Sequence, residues 1–183
     1  MIKKIFSVMT LLVMFFFTQN VSAEPHINYQ VHVQDYGWMH TVGNGQVAGT
    51  TGENKRLEAI VINCSEGIEY KVSVKNHGWQ NWTRSGGVAG TVGEDRRMEA
   101  IRIRLTGSAA DKYDVCYRAH VQNIGWQDWV KNGEVAGTEG ESLRIEAIQI
   151  EIVRKDSRHH GRYDSDRYDR DRYDHDRGRH RRW

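Results

Sequence analysis

Long hydrophobic runs are almost missing from this chain. The one apolar stretch, Ile5 to Phe17, is well short of the roughly 20 residues that cross a bilayer, and no second run follows it. Two cysteines allow at most one internal bridge. Helical periodicity is lacking almost throughout, which excludes a helical fold for the main body. That body holds more acidic than basic residues, so it lacks the basic excess of a nucleic-acid-binding surface, and no specific nucleic-acid partner is expected. No Cys/His spacing matches a zinc site. No Gly-rich phosphate loop joins a strand to a helix, and there is no Gly-x-Ser-x-Gly elbow. These gaps leave no catalytic constellation, and the expectation is a non-enzymatic protein without metal or cofactor.

What is present begins with Lys3 and Lys4, the run Ile5 to Phe17, and Val21-Ser22-Ala23 ahead of Glu24. A charged start, a short apolar centre and a small residue before the cut describe a secretory signal peptide over residues 1–23. Export to the exterior or the cell surface is therefore expected, with no transmembrane anchor left after the signal is removed. An oxidising exterior also permits a disulfide between Cys64 and Cys116, which would tie the first repeat to the third. In the loop-entropy model such a bridge contributes roughly 4 kcal/mol. Two separate thiols are the alternative.

The body, residues 24–152, writes one sentence three times. Gly37-Trp38, Gly78-Trp79 and Gly125-Trp126 mark equivalent points in gapless copies over 27–64, 68–105 and 115–152. In each, Tyr29, Tyr70 or Tyr117 opens an alternating apolar and polar run, the signature of a half-buried strand. The Gly-Trp pair ends that strand, a polar turn follows, and Val-Ala-Gly-Thr leads to a second long strand. There Arg56, Glu58, Ile60 and Ile62, with their counterparts, form a constant face read as inward toward its far end. The opposite face changes from Val61 to Arg102 to Gln149, as an exposed position does. The expected class is all-β, with three repeats in a pseudo-threefold arrangement. A β-prism, one small sheet per repeat, is preferred, and a β-trefoil is the alternative.

Tyr-x-Val-x-Val-Gln-x-x-Gly-Trp-Gln-x-Trp, then Gly-x-x-Ala-Gly-Thr-x-Gly, then Arg-x-Glu-Ala-Ile-x-Ile resembles the ChW repeat, "clostridial hydrophobic with Trp". The likeness covers all three units, and Met39-His40-Thr41 departs from it where the other copies have Gln-x-Trp. The resemblance implies an extracellular module associated with surface attachment and with carbohydrate or protein binding, without established catalytic chemistry.

Candidate binding residues are the tryptophans. Trp38, Trp79 and Trp126 recur in every copy, and either offer a flat apolar platform to a sugar ring or plug the end of the fold. Trp82 and Trp129, replaced by Thr41 in the first copy, vary as ligand contacts do. Glu58, Glu99 and Glu146 are read as partly buried carboxylates satisfied by Arg56, Arg97 and Arg144 or by backbone N–H groups. They are structural rather than catalytic, because glycoside hydrolysis needs two carboxylates across one bond. His32 and His120 are equivalent, but Ser73 breaks the set and with it a threefold metal site.

The tail, 153–183, repeats Arg-Tyr-Asp-x-Asp at Arg162, Arg167 and Arg172. A five-residue step gives neither a helix nor a strand one apolar face, so the tail is expected to be disordered. Its arginines suit polyanions of a wall or envelope. The functional expectation is a secreted or surface-associated, lectin-like binding module for carbohydrate or a cell-wall glycan. The alternative is a structural or protein-interaction scaffold that contacts surface proteins and attaches through the charge of its tail.

Overall fold

The computed structural model describes residues 24–155. The signal-peptide reading of 1–23 and most of the tail reading lie outside the described residues. The elements are β1 (Ile27–Val33), β2 (Gly37–Trp38), β3 (Val42–Gly43), β4 (Val47–Gly49) and β5 (Leu57–Cys64) in the first repeat. The second holds β6 (Ile68–Val74), β7 (Gly78–Trp79), β8 (Thr83–Arg84), β9 (Val88–Gly90) and β10 (Met98–Leu105). A single-turn helix, α1 (Ala109–Lys112), fills the longer link to the third repeat. That repeat holds β11 (Tyr113–Val121), β12 (Gly125–Trp126), β13 (Val130–Lys131), β14 (Ala136–Gly137) and β15 (Ile145–Arg154). The last strand runs past Ile152, with Val153 paired to Asp114 and Arg154 to Tyr113. The fold therefore takes in two residues that the sequence reading assigned to the tail.

The strands form three separate five-stranded sheets in a threefold, β-prism-like arrangement. The trefoil alternative, with strands of all repeats sharing one barrel, is not what forms. Each sheet is built on the two long strands of one repeat, paired antiparallel as β1 with β5, β6 with β10 and β11 with β15. Alternation along these strands sends Tyr29, Val31 and Val33 inward with Ile60 and Ile62, and their counterparts do the same around one common core. Strand β1 reads buried and half-buried in turn because one face meets that core and the other meets solvent, and β6 and β11 depart from this only where Ser73 and Cys116 are also buried.

The short Val-Ala-Gly strand does not stay with its own repeat. Strand β4 of the first repeat pairs with β15 of the third, β9 of the second with β5 of the first, and β14 of the third with β10 of the second. The three exchanges run in one direction and close a ring. Three equivalent hydrogen bonds reinforce each junction. The N–H groups of Ile150, Ile62 and Ile103 donate to the hydroxyls of Tyr29, Tyr70 and Tyr117 at 3.0, 3.1 and 3.0 Å. Those hydroxyls donate onward to the carbonyls of Gln46, Gly87 and Glu134. The turn N–H groups of Gly45, Gly86 and Gly133 donate to the same isoleucines' carbonyls at 2.7, 2.9 and 2.7 Å.

The repeated carboxylates are buried or nearly so and paired with arginine as expected, but they do not share the inward face of the isoleucines. Opposite the His32–Val33 step, β5 carries one extra residue: His32 pairs with Ala59 and Val33 with Leu57, so Glu58 is a bulge. The same irregularity skips Glu99 and Glu146. A bulge resets the side-chain phase. Leu57 consequently joins Ile60 and Ile62 in the core, while Glu58, although buried, turns to the side where His32 and Arg56 meet it. The bulge carbonyls of Glu58, Glu99 and Glu146 accept the N–H groups of Thr91, Thr138 and Thr50 at 2.9, 2.8 and 3.0 Å. The irregular residue of one repeat is thus where the next repeat's short strand is caught.

The expected Cys64–Cys116 bridge is not formed, and both residues are thiols. Cys64 ends β5 opposite Ile27 in the first sheet, while Cys116 lies along β11 opposite Glu151 in the third. Burial pushes the Cys64 thiol above its usual pKa, which lowers its thiolate content and its reactivity.

Candidate functional site

The tryptophans do not plug the end of the fold. They lie on the solvent-facing sides of the sheets, outside the buried core. The reason is register: Trp38, Trp79 and Trp126 pair with His32, Ser73 and His120, the outward positions of their partner strands. Trp82 and Trp129 precede the short strands β8 and β13, which pair with the same long strand further along. The structure therefore gathers Trp79 with Trp82 on one sheet and Trp126 with Trp129 on another. Trp38 stands without a second tryptophan.

Each pair encloses a cation. The Lys71 ammonium lies 5.1 Å from the centre of Trp79 and 5.0 Å from that of Trp82. The Arg118 guanidinium lies 4.8 Å from Trp126 and 4.9 Å from Trp129. On the second sheet, Arg102 also reaches Trp79 at 5.1 Å and Arg104 reaches Trp82 at 4.1 Å. Cation–π attraction at such partly exposed sites contributes about 0.5–1 kcal/mol per contact. Its larger effect is to fix the direction of long side chains that would otherwise sample many rotamers. The equivalent of Lys71 and Arg118 in the first repeat is Gln30, so that face has no cation to enclose. There His32 meets Trp38 edge-on at 5.4 Å, as His120 meets Trp126.

The carboxylates sit beside these faces. Arg56 donates to Glu58 from Nε at 2.9 Å and lies 2.8 Å away through Nη2. Arg97 and Glu99, at 2.8 and 2.6 Å, and Arg144 and Glu146, at 2.9 and 2.7 Å, repeat the arrangement. His32 and His120 approach the second oxygens of Glu58 and Glu146 at 3.0 and 3.2 Å. Arg56 also reaches Asp95 of the next repeat, and Arg144 reaches Asn54. Each carboxylate already has a fixed cation and lies in a different sheet, so no two of them face each other across a space for a glycosidic bond. Among the described residues no group of three or more His, Cys, Asp or Glu is placed to hold a metal.

Sequence reasoning missed the cations and the two glutamines of the Gly-Trp-Gln motif. Gln80 and Gln127 grip the short strand of their own repeat by its glycine. The N–H groups of Gly90 and Gly137 donate to the glutamine Oε1 at 2.7 Å, and Nε2 donates back to the same glycine's carbonyl at 3.2 Å. The repetition of Gln immediately after Gly-Trp was the available signal. Lys71 and Arg118 could have been found from the alternation, which places them outward beside the tryptophans.

Three repeats closed by exchanged strands, with aromatic residues and cations displayed on the outer faces, define a repeat-built β-prism-like module. The family model described as Clostridial hydrophobic W matches residues 32–65, 74–107 and 120–154. With more than half of the chain matched, the protein belongs to the ChW family. No curated protein and no solved structure matches. Such repeats are compatible with a surface-associated module.

Proposed function

We propose that this protein is a secreted, non-enzymatic module that attaches to the cell surface by binding carbohydrate, through the outer faces of its second and third sheets. The observation that carries the reading is the paired display of Trp79 with Trp82 and Trp126 with Trp129, each pair holding one cation at the solvent side of a sheet. Indole surface suits the C–H side of a pyranose, and a held cation supplies hydrogen-bond donors to sugar oxygens. Trp79, Trp126, Lys71 and Arg118 lie on paired strands, and Trp82 and Trp129 directly precede β8 and β13, so little is lost in ordering them on binding.

The test is saturable binding of the full chain to purified wall polysaccharide. Trp82→Ala combined with Trp129→Ala is expected to weaken binding roughly tenfold or more, while circular dichroism and the unfolding midpoint stay close to those of the parent. Undiminished binding by a folded double variant would place recognition elsewhere. A chain that ignores every glycan offered and instead self-associates or captures surface proteins would favour a scaffold.

A further inference from the structure

Resting on the reading that the outer faces bind a surface glycan, we propose that the second sheet presents the principal ligand face and that its ligand is an acidic polysaccharide bearing carboxylates on its sugar units. The three sheets provide an internal comparison. Their inner faces are almost interchangeable, since all three must fill one core. Their outer faces are not.

On the first sheet the positions equivalent to Lys71, Arg102 and Arg104 are Gln30, Val61 and Asn63. None carries a charge. On the third, Arg118 donates to Gln149 at 2.7 Å, and the nearby Lys131 lies 3.8 Å from Asp114. Only the second sheet concentrates positive charge: Lys71, Arg84, Arg102 and Arg104 stand against Glu69 and Glu139.

The state of those four cations favours an incoming anion. Lys71 lies over two rings and makes no ion pair among the described residues. Arg84 is 3.9 Å from Glu69, with its side chain 89% exposed. Arg102 is 3.8 Å from Glu139, which accepts a closer hydrogen bond, 2.7 Å, from Trp79 Nε1. The Arg102 Nε–H is buried without a hydrogen-bond partner. Arg104 alone is firmly paired, donating to Glu69 at 3.1 and 2.7 Å.

Arg102 and Arg104 are two residues apart on one strand and so project from the same face about 7 Å apart. Guanidinium forks match carboxylates in a planar, bidentate way. A polyuronate offers such groups at regular intervals, together with apolar ring surfaces for the flanking indoles. A phosphodiester polymer of small polyols offers the charge without the rings.

The experiment measures binding of the full chain to polygalacturonate oligomers at low and moderate salt, with dextran and poly(glycerol phosphate) alongside. Residues 153–183 are present in every variant, so their charge cancels from the comparison. Lys71→Gln combined with Arg104→Gln is expected to weaken polygalacturonate binding roughly tenfold and to flatten its salt dependence, because two contacts that salt screens are gone. Arg84→Gln, at a largely exposed side chain with little influence on folding, is expected to weaken it a few-fold. Gln30→Ala on the first sheet is expected to change nothing. Unchanged affinity in the folded Lys71/Arg104 and Arg84 variants overturns the assignment of the face, and equal or tighter binding of poly(glycerol phosphate) overturns the assignment of the ligand. Binding of dextran without polygalacturonate overturns the acidic ligand but leaves the glycan-binding module standing, whereas binding to none of the three defeats both.

Discussion

At the scale of single residues, the three buried tyrosines are the most demanding positions in the chain. Each hydroxyl takes an N–H from one repeat and gives its proton to a turn carbonyl of its own. That role needs the neutral phenol. Burial pushes Tyr29 and Tyr117 up to about 12 and raises Tyr70 in the same direction. An unfolded tyrosine titrates near 10. A folded-state pKa above the unfolded one means that the native state holds its proton longer. The tyrosine contribution to stability is therefore complete below about pH 10 and is lost as the pH rises through about 12. Followed together, tyrosinate absorbance and circular dichroism are expected to show these three hydroxyls ionising only as the fold is lost. Their titration near pH 10 in a fully folded protein would contradict the relay. The tyrosines were legible from alternation, which placed them inward. The N–H groups that donate to them were not, because those belong to a different repeat and nothing local to Tyr29 points to Ile150.

At the scale of elements, the decisive contact is the short Val-Ala-Gly strand against a neighbouring bulge. Gly90 has φ +110°, and a Cβ placed there would lie 2.3 Å from the Glu58 carbonyl oxygen and 2.7 Å from the Ala59 Cα. Both obstacles are backbone within a sheet, so neither can move without breaking the pairing of β5 with β9. Gly90→Ala is expected to cost about 3 kcal/mol, combining a strained backbone with overpacking. Gly93→Ala meets nothing within 4 Å at φ +77° and is expected to cost about 1 kcal/mol, from backbone strain alone. Urea titration of both variants checks the difference, and similar midpoints would mean that the junction is looser than described. The long strands and the glycines of this motif were visible in the sequence, because period two and repetition mark them. The bulge was hidden: one extra residue moves Glu58 out of phase with Ile60 while the letters still alternate. The exchange of short strands was hidden too, since Val-Ala-Gly is the same in every copy and pairs as well with a neighbour as with itself. The cations between the tryptophans were hidden because the residue at their one equivalent position changes from Gln30 to Lys71 to Arg118, and repetition draws attention to what stays the same.

At the scale of the whole molecule, closure makes the first repeat a part of the last. Strand β4 completes the third sheet, with Val47, Ala48 and Gly49 opposite Gln149, Ile148 and Ala147. Tyr29 also satisfies the N–H of Ile150. An open array of repeats can lose a terminal unit and keep the rest, because each unit contacts only its neighbours in sequence. A closed ring has no terminal unit. Removing residues 1–67 would expose the edge of β15, leave Ile150 without its hydroxyl partner and uncover one side of the common core. A chain starting at Ile68 is therefore expected to lack native circular dichroism and amide dispersion, although it retains two complete ChW matches. Supplying residues 24–67 as a separate chain is expected to restore both signals, since that piece carries β4 and Tyr29 and receives β9 against its own β5. Independent folding of the two-repeat chain would mean that the ring is a consequence of folding rather than its condition. The binding faces would then be separable units, each testable without the others.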